Sequence, residues 1–525
     1  MHRLLRRSWV QVVLGALMLM MVVAASGRPT VFTDTDDYYA QGRGAARALK
    51  PIVSQILHIP RNLDEEDADL QAEADEDHTS MAARSPYYGI LLYSAFEIGT
   101  LWLLAAIQSL VAAWTVFTLV RGAIQGPNGA PPRVYLSVMA GLSLLSTLPF
   151  FAGFGMPDVF APLGALATAA LAIYWERYGR LEIAGLIAVI TASLWFHTSH
   201  ILLEIALIFV TGAVLWWFRA GARTVALRTG VLALIVVSAF VSDIAYHGVV
   251  KLRTGEDLHR PPFLSARVLA DGPGRVYLRE ACAKASPYVL CRFKNNPLDD
   301  SDEILWADDP ARGIFNASKI DVRIALAREE KAFVLQTILH HPLSQIGASL
   351  SNWFEQLSLV DLSEPLRDPG YYFTNVYWKD TSLPSLIPGG HECLKRPRLC
   401  RPWISIEWIS YLHGTVILIG TAFLIWRGSR RDIRAAVRAR RPLRPGGREA
   451  LIAAAVILIL AVIVNSAVTG ILSGPFARYH ARMVWIIPAV AAVTAWRLGP
   501  GFDVKAAWAY WSQRVRRRPA SQARG

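Results

Sequence analysis

Long apolar runs alternate with polar segments along most of the chain. The runs are roughly 18–25 residues long, about the length that a helix needs to cross the hydrocarbon core of a bilayer. Several are short or joined by only a few residues, so their count is approximate. In chain order they are Trp9–Ser26, Thr100–Val120, Tyr135–Phe151, Val159–Trp175, Leu181–Phe196, Ile201–Phe218, Gly230–Tyr246, Ile404–Trp426, Leu451–Leu472 and Met483–Trp496. They predict an all-α polytopic membrane protein with about ten transmembrane helices.

The first run follows three arginines, Arg3, Arg6 and Arg7, and ends in small residues. A cleavable signal peptide and an uncleaved anchor both have this form. The apolar stretch is long for the hydrophobic part of a signal peptide, so we favour an anchor. In either case the residues that follow lie outside the cytoplasm.

The basic residues orient the predicted helices. The 525-residue chain carries a net charge of +13, which is typical of nucleic-acid-binding proteins, yet its arginines are concentrated in alternate loops. Placing both termini in the cytoplasm puts these arginines inside, as the positive-inside bias expects. The high charge therefore reports topology, and we expect no nucleic-acid partner. The arginines in question are Arg121, Arg133, Arg177, Arg180, Arg219, Arg223, Arg228, Arg427, Arg430, Arg431, Arg434, Arg438, Arg440, Arg441, Arg444, Arg448, Arg514, Arg516, Arg517 and Arg518.

Two large segments remain on the extracytoplasmic side. The second shows helical patterns over Asp321–His340 and Leu343–Leu359, which predicts a mixed, mainly helical domain. In the first, the acidic run Asp64–Asp77 is typical of a solvated linker. The chain therefore divides into an anchor at 1–26, a first extracytoplasmic loop at 27–99, helices two to seven at 100–246, a cysteine-containing domain at 247–403, the last three helices with an arginine-rich loop at 404–497, and a basic tail at 498–525.

All four cysteines, Cys282, Cys291, Cys393 and Cys400, lie in the domain at 247–403. Their confinement to the predicted oxidising side indicates two disulfides. The short separations favour pairing Cys282 with Cys291 and Cys393 with Cys400, although four cysteines allow three connectivities. The spacing does not match a structural zinc site.

An acidic cluster follows the first span closely. Asp34, Asp36 and Asp37 repel one another near the membrane surface, so a cation or proton usually offsets their charge. One carboxylate is a candidate general base, and another is a candidate ligand for substrate or a divalent metal. The alternative is an acidic turn that caps a helix beginning near Tyr38.

Two further features are expected at the same membrane depth as this acidic cluster. Asp158 lies in a short outer loop and could face one cavity with the acidic cluster, or simply occupy the first turn of a helix. The spacing of His197, His200 and Glu204 places them on one helical face. Such a face suits metal binding or proton transfer, and a structural pairing of the histidines with a buried carboxylate explains it equally well.

The segment Gly474–Arg482 carries Arg478, Tyr479, His480 and Arg482 between the last two spans. Arginines in an extracytoplasmic loop oppose the charge bias of the rest of the chain. A guanidinium group suits a lipid-linked phosphate, which would lie at this depth. Pairing with phospholipid headgroups or with the acidic residues is the alternative.

Together these features resemble the GT-C superfamily of integral-membrane glycosyltransferases. The run Asp36–Arg43 looks like the first-loop sequence of several branches, and Arg478–Arg482 is similar to arginine-tyrosine sequences of related bacterial proteins. The chain as a whole looks like uncharacterised bacterial membrane proteins of this type, which share Arg84–Gly89 and Ile304–Trp306. It departs from better-known branches in carrying its large outer domain in the middle.

The resemblance implies a glycosyltransferase that moves a sugar from a polyprenyl-phosphate donor to an acceptor in the cell envelope. Asp36 or Asp37, with Asp34 as a further candidate, would act as base, while Arg478 and Arg482 would stabilise the phosphate. Asp158, Tyr479, His480, His197 and His200 would line the substrate site. A bound divalent metal is possible but not required, and no cofactor is certain. The implied location is a bacterial inner membrane, with membrane lipids as partners and the large loops in the periplasm.

Two other functions fit the same pattern. A polysaccharide polymerase or ligase also uses a lipid-linked donor and functional arginines, but does not need an acidic cluster after the first helix. A transporter or flippase usually has ionisable residues near the middle of its spans. Here they lie towards the predicted outer ends of the spans, at Glu97, Glu204, Asp243 and Glu407.

Overall fold

The computed structural model describes residues 7–57, 84–124, 131–255, 257–284, 288–362, 383–387, 392, 395–396, 407–444 and 446–499. This part of the chain is mainly helical, without a β-strand, and an isolated bridge joins Thr30 to Phe154. The prediction of an all-α polytopic membrane protein is confirmed. Cys393, Cys400, the acidic run Asp64–Asp77 and the basic tail lie outside the described residues.

The helices of the membrane region form one hydrophobic core. Eight helices of the described chain are long and apolar enough to span a membrane. Two further predicted spans are helical but shorter, with 14 residues in α5 and 17 in α8. The membrane-region helices are α1 (Ser8–Ala25), α2 (Asp34–Leu57), α3 (Pro86–Ile98), α4 (Leu101–Ala123), α5 (Pro132–Leu145), α6 (Leu148–Ala152), α7 (Phe160–Tyr174, after a 3-10 turn at Pro157–Val159), α8 (Arg180–Phe196), α9 (Thr198–Trp217) and α10 (Ala222–Thr254).

A separate domain with its own hydrophobic core follows α10. The sequence predicted its two long helices to within a residue or two. One of the two predicted disulfides is confirmed: Cys282 is bonded to Cys291. The helices in this region are α11 (Phe263–Ala270), α12 (Pro273–Ala283), α13 (Ser301–Trp306), α14 (Ile320–His340), α15 (Pro342–Ser358) and the short α16 (Leu383–Leu386).

The chain then returns to the membrane region through α17 (Glu407–Gly428), α18 (Arg431–Ala439), α19 (Arg448–Leu472), α20 (Ala477–Val484) and α21 (Ile486–Leu498). The last two helices are nearly continuous and form one candidate span over Ala477–Leu498. We call the end of the bundle that carries residues 257–362 the domain end.

The opposite end of the bundle carries the arginine-rich loops, and we call it the arginine end. Arg427 donates two hydrogen bonds of 2.9 Å to Asp432 in α18. Trp217 donates its indole N–H to Val437 O, and the guanidinium of Arg440 lies 4.2 Å from the centre of one Trp217 ring. These contacts fix α18 against the ends of α9 and α17.

Candidate functional site

The segment after α1 is docked onto the loop that precedes α7. The Thr30 N–H donates to Gly153 O at 3.0 Å, and the Gly155 N–H donates to Thr30 O at 2.8 Å. The Thr35 hydroxyl, in the first turn of α2, donates to Gly155 O at 3.1 Å. These bonds hold the acidic start of α2 beside Asp158, although the two segments are more than a hundred residues apart.

Arg478 in α20 bridges the two acidic segments. Its Nη2 lies 3.8 Å from Asp34 Oδ2, and its Nε lies 3.7 Å from Asp158 Oδ1. One helical turn later, Arg482 donates from Nη1 to Asp158 Oδ1 at 3.2 Å and from Nη2 to Asn465 Oδ1 at 3.2 Å. Because the arginines are four residues apart, both point from one face of α20 towards the carboxylates.

A third arginine, Arg84, lies just before α3, the helix that packs on α2. Arg84 donates from Nη2 to Asp34 Oδ1 at 2.5 Å, and its Nε lies 3.8 Å from Asp37 Oδ2. The guanidinium carbon is 6.0 Å from the centre of a Trp306 ring, at the end of α13. The domain therefore reaches the same group of charges as the membrane helices. We call Asp34, Arg84, Asp158, Arg478 and Arg482 the arginine–aspartate cluster.

The cluster is largely removed from solvent. The side chains of Asp158 and Arg482 are 2% and 0% exposed, whereas Asp37 beside the cluster is 55% exposed. Three guanidinium groups meet the carboxylates of Asp34 and Asp158, and the half-exposed Asp37 contacts Arg84 at the edge of the cluster. The buried Nε of Arg482 has no hydrogen-bond partner among the described residues. This N–H is a donor that an anion in the cluster can use.

Aromatic side chains line the cluster. The guanidinium carbon of Arg478 lies 4.1 Å from the ring centre of Phe32, and Tyr479 lies within cation–π distance of both Arg478 and Arg482. Tyr38 is fully buried near Arg84. Burial raises the pKa of Tyr38 above its usual range, outweighing the opposite effect of Arg84. Tyr38 therefore keeps its proton and can act as a hydrogen-bond donor.

The histidines make local hydrogen bonds beside the cluster. His197 caps α9, and its Nδ1 accepts from the Ser199 N–H at 3.2 Å. The rings of His197 and His200 stack with their centres 5.0 Å apart, and Arg482 acts electrostatically on both. Glu204 is buried and accepts a 2.8 Å hydrogen bond from the Thr168 hydroxyl. The contact of this carboxylate is therefore with a threonine of α7, whereas His200 Nδ1 hydrogen-bonds to Ser193 O at 2.9 Å.

The remaining histidine of the predicted site faces a different helix. His480 Nδ1 and the Ser466 hydroxyl, in α19, share a hydrogen bond of 2.6 Å. In the described part of the chain, no group of three or more His, Cys, Asp or Glu side chains is arranged to hold a metal ion. Two of the carboxylates that were candidate metal ligands, Asp34 and Asp37, contact the guanidinium group of Arg84.

The structure differs from the sequence predictions in three details. Arg478 and Arg482 were expected in a loop and lie in α20, within the last candidate span. Asp34, the less favoured candidate for the base, contacts both Arg84 and Arg478. Arg84 was not among the predicted site residues, although an arginine on the predicted outer side was the same signal that drew attention to Arg478.

Comparison with known proteins gives no family assignment. No protein-family model, curated protein sequence or solved structure matches the chain. The candidate site therefore rests on its own geometry.

Proposed function

We propose that this protein is a membrane glycosyltransferase that moves a sugar from a polyprenyl-phosphate donor to an acceptor on the extracytoplasmic side of a bacterial inner membrane. The observation that carries this proposal is the buried arginine–aspartate cluster at the domain end of the spans. It gathers three guanidinium groups at the depth where a lipid-linked phosphate lies, with a half-exposed carboxylate beside them.

The cluster suits a departing phosphate better than a neutral solute. Its guanidinium groups lie in a water-poor environment, where preorganised donors stabilise developing negative charge most strongly. Arginine binds phosphate oxygens through paired N–H groups. Asp34 and Asp158 hold the guanidinium groups in place before substrate arrives, so little reorganisation is needed during the reaction.

In the proposed reaction, the acceptor hydroxyl oxygen attacks the anomeric carbon while the bond from that carbon to the phosphate oxygen breaks. Asp37 takes the proton of the acceptor hydroxyl. The electron pair of the broken bond remains on polyprenyl phosphate, next to Arg478 and Arg482. Asp37 is assigned as the base because it is the more solvent-open carboxylate beside Arg84, whereas Asp34 is committed to two arginines. The reaction as proposed includes no metal step.

Matched neutral substitutions test the assignment. Asp37→Asn should lower the transfer rate by about 10²–10⁴-fold, the usual contribution of a general base, while Asp36→Asn in the same helical turn should leave most of the rate. The measurement is transfer of labelled sugar from a panel of polyprenyl-phosphate sugars to envelope glycan, in vesicles containing equal amounts of each protein. Full activity of Asp37→Asn would disprove its role as base.

A second measurement separates transfer from transport. Purified protein in sealed vesicles should form a glycosylated product without moving an unmodified sugar or lipid-linked sugar across the bilayer. Movement of the unmodified compound without product would favour a transporter. A polymerase or ligase would instead retain activity when all three of Asp34, Asp36 and Asp37 are replaced with asparagine.

A further inference from the structure

Helix α15 (Pro342–Ser358) turns its polar side towards the protein and its apolar side outward. Gln345 and Asn352 donate hydrogen bonds of 2.7 and 2.8 Å to Asp271. Gln356 is fully buried; its side chain donates to Phe476 O at 2.8 Å and accepts from the Phe476 N–H at 3.0 Å. A surface helix of a water-soluble domain has the opposite arrangement.

The outward face of α15 is a continuous row of large apolar side chains. Leu343 is 83% exposed and Phe354 is 65% exposed, with Ile346 and Leu350 between them at helical spacing. Near the end of the preceding α14, Leu335, Ile338 and Leu339 are exposed as well. Soluble proteins rarely leave so many large apolar side chains together in water, so this face requires an apolar partner.

Contacts of α15 place it at the membrane boundary. It packs directly on Gly470 near the end of the spanning helix α19, where any side chain would collide with Asn352 and Gln356. Just after α15, the buried Leu362 donates its N–H to the Ser410 hydroxyl in α17 at 3.3 Å. Ser410 lies in the first turn of another candidate span, so the end of α15 reaches the depth of the spans.

Exposed aromatic residues mark the same level. Trp408 and Tyr411, in the first turns of α17, are exposed, and in α15 the rings of Trp353 and Phe354 stack. Tryptophan and tyrosine are enriched where transmembrane helices meet the headgroup region. The apolar face of α15 is therefore at the depth where lipid chains begin.

We propose that α15 is an interfacial helix whose apolar face contacts the acyl chains of the surrounding bilayer. Its opposite face would then fix the arginine–aspartate cluster, because Gln356 holds both backbone groups of Phe476, two residues before Arg478. The lipid contact is independent of the reaction assigned to the cluster. It requires only that the eight long apolar helices span a membrane.

Site-specific photocrosslinking in a bilayer tests this contact. The full-length protein is placed in vesicles of phosphatidylethanolamine and phosphatidylglycerol, with p-benzoylphenylalanine substituted at Phe354 or at Leu343. A lipid-facing position in a span, Leu418, serves as the positive reference, and an exposed position in the domain, Lys294, serves as the negative one. All four side chains lie on the protein surface, so the substitutions should not disturb folding.

The expected result at positions 354 and 343 is a protein mass increased by one phospholipid, with a yield close to that at position 418. A yield at both positions no higher than at position 294 would overturn the proposal. Crosslinking of position 354 to a second copy of the chain, or to another protein, would also overturn it and identify a protein partner for this face. Glycosyltransferase activity is not part of the readout.

Discussion

Arg482 and Asp158 form a buried ion pair whose members depend on each other. Removing two charges from water is costly, and their attraction compensates only when the geometry is good and the remaining groups are bonded. Arg482 meets this condition in part: its two Nη groups donate to Asp158 and Asn465, whereas its Nε has no hydrogen-bond partner among the described residues. Lysine could not reproduce both contacts, because it lacks the planar arrangement of donors.

Replacing Arg482 alone should therefore be more harmful than replacing the pair. Arg482→Gln leaves the carboxylate of Asp158 buried with only the longer contact to Arg478, and we expect a loss of about 3–5 kcal/mol in the free energy of unfolding. Combining it with Asp158→Asn should recover part of that loss. Denaturant unfolding in detergent measures the free energy of unfolding of the Arg482→Gln, Asp158→Asn and double variants. A double variant that loses the sum of the two single effects would show that the residues are not coupled.

At the residue scale, the sequence identified part of the cluster. Arg478 and Arg482 stood out because they oppose the charge bias of the predicted loops, and Asp158 because it shares their depth. The choice among Asp34, Asp36 and Asp37 could not be made from spacing alone. It depends on the direction of the first turn of α2, which is set by hydrogen bonds between Thr30 and a segment far along the chain.

At the scale of elements, the crossing of α2 and α3 determines where the acidic residues meet Arg84. The two helices touch backbone to backbone at Gly42 and Gly89. A side chain on Gly42 would collide with the backbone of Gly89, and one on Gly89 would collide with Tyr38 O. Glycine is required at this crossing because any larger residue separates the helices.

Gly42→Ala should accordingly separate α2 from α3 and weaken the contacts of Arg84 with Asp34 and Asp37. We expect a destabilisation of about 1–3 kcal/mol, typical of overpacking, and a marked loss of transfer activity. Gly44→Ala is the matched control in the same helix, because an added side chain there meets no atom within 4 Å. The two variants are compared by thermal unfolding and by the transfer assay. Equal behaviour of both would refute the steric explanation.

Helices that carry a strong periodic pattern could be predicted, and those that depend on tertiary contacts could not. The sequence indicated α14 and α15 almost to the residue. It did not indicate that α15 turns its polar face to the protein and its apolar face outward. A helical pattern shows which face is apolar, but it does not show which face packs against the rest of the protein. Helix α3 falls in a segment predicted as part of a loop, and it is held there by its close contact with α2.

At the scale of the whole molecule, the charge distribution gives the two ends of the bundle different characters. Arginines accumulate at one end in exposed loops, where Arg434, Arg438 and Arg441 face solvent. At the domain end, Arg478 and Arg482 are buried, Arg84 is mostly buried, and all three are paired with carboxylates. The positive-inside bias concerns free charges in loops, so the buried arginines do not weaken the expected orientation.

The orientation predicts which exposed segments a protease can reach. A cleavage site for a specific protease, inserted in the exposed turn at residues 308–312 of the domain, should be cut when protease is added to sealed right-side-out membrane vesicles. The same site inserted at residues 441–442 of the arginine end should be protected there and cut in inverted vesicles. Fragment sizes on a gel distinguish the two cuts.

The reverse pattern would place the arginine–aspartate cluster on the cytoplasmic side, and cutting at both sites from one side would contradict the two-ended bundle. The expected pattern would place the cluster where an extracytoplasmic acceptor can reach Asp37, which the proposed transfer reaction requires.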